Sequence, residues 1–90
     1  MKQSIKLIIS GLVQGVGFRH ATYIKAKELG VLGRVRNLLD GSVEILAIAE
    51  KGALSDFKTW CYQGPLHARV EHVEVTEVST ADFLEFKILN

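Results

Sequence analysis

Two glycines stand just ahead of an arginine in Gln14-Gly15-Val16-Gly17-Phe18-Arg19, and the helix-forming run HATYIKAKEL follows directly. Glycine frees a loop backbone to turn. A helix start leaves its first N–H groups without intrahelical acceptors and carries about half a positive charge from the aligned peptide dipoles. Such a loop can cradle an oxyanion. Arg19 adds a planar guanidinium whose paired donors match two oxygens of a phosphate, a fit that lysine lacks. The residue types therefore favour a phosphate group, held by the backbone of Gly15, Val16, Gly17, Phe18 and Arg19 and by the Arg19 side chain. Taken alone, a glycine loop before a helix is about as often a plain turn, and a lone arginine there is most often a solvated surface residue. The dinucleotide fingerprint lacks its third glycine here, and no Gly-Lys-Ser or Gly-Lys-Thr is present for a nucleotide P-loop.

The loop must be positioned by what flanks it. Ile5, Leu7 and Ile9 alternate with Lys6, Ile8 and Ser10, the period of a strand running roughly from Ser4 to Val13. The helix after the loop should stop at Gly30, a good left-handed cap, with Val31 packing back on its last turn. Val31 to Leu38 and Ser42 to Ala49 form a hairpin across Leu39-Asp40-Gly41. Ala53, Leu54, Phe57, Trp60 and Cys61 recur at helical spacing until Gly64 and Pro65, which makes Phe57, Trp60 and Cys61 core residues. Val70, Val73, Val75 and Val78 mark a fourth strand, and Phe83, Phe86, Ile88 and Leu89 a last one. Glu71, Glu74 and Glu77 in the fourth strand look like guards of an exposed edge, so docking of another protein there is the weakest reading.

Strand, helix, strand, strand, helix, strand is the order of the α+β, ferredoxin-like split βαβ plan, an antiparallel sheet with two helices on one face. A right-handed crossover makes the first two strands parallel, with the third antiparallel between them. Their carboxyl ends then share one edge of the sheet, one bearing the glycine loop and the other Asn37. By strand parity Val35, Asn37 and Leu39 point to the helix-packed face, which turns Asn37 toward the loop. Its amide can both donate and accept, so it can hold a water while touching phosphate or backbone.

The 90 residues are 48% hydrophobic and 23% charged with one proline, the composition of one globular domain over residues 1–90. With 11 Lys plus Arg against 10 Asp plus Glu, the net charge of +1 supplies no general field for a nucleic-acid backbone or an anionic membrane. No apolar stretch approaches the roughly 20 residues of a membrane span, and no signal peptide is legible. An RNA-recognition domain shares the strand order, but strands one and three here carry aliphatic and charged residues where aromatic stacking platforms are needed. A single cysteine excludes an intramolecular disulfide and multi-cysteine metal sites, and it fits a reducing compartment. The expectation is a cytoplasmic monomer without nucleic-acid or membrane partners. His20, His67 and His72 show no spacing that would bring three ligands onto one metal, and no metal is expected.

Ile9-Ser10-Gly11-Leu12-Val13-Gln14-Gly15-Val16-Gly17-Phe18-Arg19 resembles the first signature of the acylphosphatase family. Gly33, Arg36, Asn37, Gly41 and Val43, within Gly33-Arg34-Val35-Arg36-Asn37-Leu38-Leu39-Asp40-Gly41-Ser42-Val43, resemble the second. The resemblance covers essentially the whole chain. It implies hydrolysis of small-molecule acyl phosphates to carboxylate and inorganic phosphate without a cofactor, the matched arginine binding phosphate and the matched asparagine orienting water. Arg34 stands where the family usually has an aromatic and Ala49 where it usually has a glycine, departures expected to touch substrate preference more than chemistry. The alternative is a non-catalytic phosphate- or ligand-binding regulatory module on the same fold.

His20 adjoins Arg19, and its imidazolium charge would tune anion binding. Hydrolytic activity is then expected to change between about pH 5.5 and about pH 7.5. A flat pH–rate profile across that interval removes His20 from the site's electrostatics.

Overall fold

The structure, a computed structural model, describes residues 1–79 and 82–90. The elements run β1 (Lys2–Leu12), α1 (Phe18–Leu29), β2 (Leu32–Asn37), β3 (Val43–Glu50), α2 (Lys51–Gln63), β4 (Arg69–Glu77) and β5 (Phe86–Ile88). The strand order in the sheet is β4-β1-β3-β2-β5. β1 and β2 both pair antiparallel with β3 and are therefore parallel to each other, as the crossover rule requires. No helix among the described residues is long and apolar enough to cross a membrane.

Alternation decides which face each strand buries. Ile5, Leu7 and Ile9 of β1, Val35 of β2, and Val43, Ile45, Ala47 and Ala49 of β3 form the helix-covered face, with Phe57 and Cys61 of α2 packed on them. α1 ends as expected. Gly30 adopts φ 74°, its N–H donates to Lys27 O at 3.4 Å, and Val31 N–H donates to Ala26 O at 2.8 Å, the paired bonds of a Schellman cap. Val31 is buried behind it. At the hairpin, Asp40 Oδ1 accepts from both Ser42 N–H (2.9 Å) and Ser42 Oγ–H (2.6 Å), so the aspartate organises the turn that joins β2 to β3.

Four expectations need correction. The sheet is mixed rather than antiparallel, because β5 joins the outer side of β2 in parallel. That strand spans only Phe86–Ile88, leaving Phe83 outside it. Phe86 faces the core against Phe57 while Lys87 and Ile88 are exposed, so only one residue in three anchors it. Leu39 is fully exposed, since β2 stops at Asn37 and strand parity does not extend into the turn. Trp60 is half-buried, a lid over Phe18 (ring centroids 5.8 Å apart) and Phe57 (6.4 Å) rather than part of the interior.

Phe57 is 0% exposed and its ring meets those of Trp60 and Phe86. Truncating such a side chain removes its transfer free energy and leaves a cavity, so Phe57→Ala should lower unfolding free energy by about 3–5 kcal/mol in urea denaturation. A loss under about 1 kcal/mol would mean that the helix–sheet interface refills around the gap.

Candidate active site

The loop leaving β1 and the last residue of β2 emerge at the same edge of the sheet, on either side of β3. Gly15 and Gly17 both adopt φ 76°. An added Cβ would meet nothing within 4 Å at either place, so the left-handed conformation, not lack of room, favours glycine. Gly17 is the N-cap of α1, and the first helical bond runs from Ala21 N–H to Gly17 O at 3.0 Å. The N–H groups of Phe18, Arg19 and His20 lie ahead of that bond and have no intrahelical acceptor. No acidic residue occupies the first turn, so no carboxylate of the helix offsets its positive end.

A cavity of about 250 Å³ opens here, smaller than the roughly 300–1,000 Å³ typical of sites for drug-sized molecules. Among the residues expected at the site, Gly15, Gly17, Phe18, Arg19 and Asn37 line it, whereas Val16 packs its side chain against the core. Phe18 is buried, so its ring stays beneath the loop. Arg19 is half-buried, and its Nη1 donates to Leu89 O at 2.9 Å. It forms no ion pair among the described residues, so its remaining donors are available to an anion. Asn37 follows buried Val35 by two residues and reaches the cavity; its amide makes no hydrogen bond to protein among the described residues.

Sequence reasoning missed the supports. Gln14 Nε2 donates to Leu38 O (2.8 Å) and Ser42 O (2.9 Å), joining the glycine loop to the hairpin. Ile88 and Asn90 also line the cavity, and Leu89 supplies the carbonyl that holds Arg19. Main-chain carbonyls belong to every residue, so the sequence carried no signal for these acceptors.

Elsewhere, Cys61 is buried as expected, and burial pushes its thiol up to about 12, which makes it inert. His20 is exposed at the cavity, and His67 and His72 are exposed outside its lining. No group of three or more His, Cys, Asp or Glu side chains among the described residues could hold a metal ion. Neither departure from the family pattern lines the cavity: Ala49 is buried opposite Gln3, toward the other end of β1, and Arg34 alternates with Val35 and so faces away from the helices. The Nε of Arg34 is buried without a hydrogen-bond partner among the described residues, and nothing described accounts for it.

The fold and cavity together define a small α+β domain with a compact cavity at a helix start, lined by backbone donors, a guanidinium and a carboxamide. The acylphosphatase family model matches residues 5–88, and the chain belongs to the acylphosphatase family. It is 47% identical over 85 residues to an acylphosphatase of Acaryochloris marina, covering 94% of this chain and 91% of that one. It is 52% identical over 73 residues to an acylphosphatase of Rubrobacter xylanophilus, covering 81% of this chain and 66% of that protein's length. The crystal structure of acylphosphatase from Bacillus subtilis superposes with a TM-score of 0.94 at 35% identity, each chain being covered completely.

The hydrogen bonds from the Ser42 side chain and backbone hold the Asp40 carboxyl below its usual range. The folded state therefore binds this proton less tightly than the unfolded chain. The resulting stabilisation is present above the unfolded value of about 3.9 and is lost as pH falls through the folded one. Asp40→Ala should lower the thermal midpoint at pH 7 and lower it less near pH 3, and an equal loss at both would sink this assignment.

Proposed function

We propose that this chain is a hydrolase of small acyl phosphates in which Arg19 and the N–H groups of residues 15 to 19 hold the phosphoryl group and Asn37 orients the attacking water. Water oxygen forms a bond to phosphorus, the bond from phosphorus to the acyl oxygen breaks, and the carboxylate leaves with the electron pair. The proton released by water passes to phosphate or solvent. A carboxylate is a good leaving group without protonation, so the reaction requires no general acid, and the loop from Gln14 to Arg19 has no Cys, Ser, Asp or His to form a covalent intermediate.

The observation that carries this reading is the convergence, at one cavity, of the positive end of α1 with an arginine and a carboxamide from another strand that have, among the described residues, no carboxylate partner and no side-chain hydrogen bond to protein respectively. Phosphoryl transfer passes through a loose transition state with charge on the equatorial oxygens, and catalysis is mainly positioning and charge stabilisation. One preorganised donor aimed at such charge is worth about 3 kcal/mol. Several backbone donors and Arg19 then supply a large acceleration from positioned charge alone. In this proposal residues 1–90 form one catalytic domain that acts as a monomer on a free small molecule. A lone buried thiol suits a reducing compartment, and we place the enzyme in the cytoplasm.

Steady-state hydrolysis of an aryl acyl phosphate in the presence of a chelator tests it. Arg19→Ala and Asn37→Ala, each verified as folded by circular dichroism, should lose about 100-fold or more in kcat/KM. Inorganic phosphate should raise the thermal midpoint of the wild type and of Asn37→Ala but not of Arg19→Ala. No wild-type turnover above the spontaneous rate overturns the enzymatic reading.

A further inference from the structure

The cavity draws on two pieces of chain whose strands each pair with β3 but not with each other: the loop that carries the phosphate donors, and the end of β2 that carries Asn37. Gln14 is the bond between them. Its carboxamide spends both N–H groups on the hairpin, donating to Leu38 O at 2.8 Å and Ser42 O at 2.9 Å. The anchor is firm. Leu38 and Ser42 already pair with each other, Leu38 N–H donating to Ser42 O at 2.9 Å, and Gly41 N–H donates to Leu38 O at 3.2 Å. Ser42 is buried and held again by Asp40. Asn37 immediately precedes Leu38, so the tie lands one residue from the group that must aim water at phosphorus.

We infer that Gln14 is a positioning residue for hydrolysis: it sets the spacing between the phosphate cradle and Asn37, and so acts on turnover rather than on phosphate binding. The inference rests on the function proposed above. Arg19 and the N–H groups belong to the loop and to α1, and Leu89 steadies Arg19 independently, so the cradle keeps its shape when the tie is cut. What changes is the distance from cradle to water, and a displacement of about 1 Å costs about 100-fold in rate. Two variants cut the tie differently. Gln14→Glu keeps the shape but turns two donors into acceptors facing carbonyls. Gln14→Met keeps the length and removes all hydrogen bonding, while both carbonyls retain their hairpin donors.

The test is a double-mutant cycle, read as kcat and as the competitive inhibition constant of inorganic phosphate. Gln14→Met should lower kcat about tenfold or more, with the phosphate constant changed by less than about threefold; Gln14→Glu should lower kcat further. In the Asn37→Ala background the same Gln14 substitutions should change kcat by less than about threefold, because the water they misplace is no longer held. A merely structural role would lower the thermal midpoint and would weaken both backgrounds alike. If Asn37→Ala is impaired but Gln14→Met lowers kcat equally with or without Asn37, the positioning role falls while the proposed function stands. If phosphate affinity drops in step with kcat, Gln14 shapes the cradle and the inference also falls. If Asn37→Ala turns over at the wild-type rate, both readings are overturned. Should Gln14→Glu fail to fold, Gln14→Met alone carries the comparison.

Discussion

Everything at the site depends on one topological constraint: a right-handed crossover places β1 and β2 parallel, with β3 between them. Parallel strands end at the same edge, so the glycine loop and Asn37 can face one cavity. The intervening strand separates their backbones, and the tie from Gln14 spans that separation. Two inter-strand spacings amount to about 10 Å between the backbones, and the loop and an asparagine side chain reach inward across that gap. Were β1 and β2 direct neighbours, a phosphoryl group and a water would have half the room. The α1 start lies over the same edge because the chain must leave β1 and cross above the sheet before returning to β2.

Much of this arrangement was legible in the residues. The alternation of Ile5, Leu7 and Ile9, the Gly30–Val31 cap, the Asp40-Gly41 turn and the Phe57–Cys61 stripe define elements by local chemistry, and the crossover rule turns their order into a topology. What escaped was non-local. Arg19 meets Leu89 across 70 residues and Gln14 meets the hairpin across 24 and 28, in each case at a main-chain carbonyl that no residue type announces. β5 escaped for a related reason. A strand of three residues buried at one position is too short for periodicity, and its parallel direction is set by the sheet edge it joins. Leu39 shows the opposite failure, since parity was carried past the end of the strand that justified it.

The two edges of the sheet are treated differently. β4 is long, and its exposed Glu71, Glu74 and Glu77 alternate with the valines that pair with β1, of which Val73 is buried, so another strand approaching that edge would meet carboxylates on both of its faces. A register shift between Ser10 and Gly11 interrupts the ladder near its end. β5 protects the other edge by brevity: three residues offer little template for further pairing. Charge and shortness thus solve the same problem at opposite sides of one small sheet.

The brevity of β5 has a second side. Short strands with few buried contacts open at a small fraction of the free energy needed to unfold a domain, and β5 is held by its three-residue pairing with β2, by the flanking bonds from Gly33 N–H to Glu85 O (3.1 Å) and from Leu89 N–H to Val35 O (2.8 Å), by buried Phe86 and by the bond from Arg19. Arg19 is thereby fastened to the residue that follows the shortest strand of the sheet. Fraying of that strand releases the guanidinium and withdraws Phe86 from the core, while β1, the glycine loop and α1 keep their own hydrogen bonds. On warming, the ability to grip an anion should consequently fade before the fold melts, making this last strand a thermal fuse for the whole molecule.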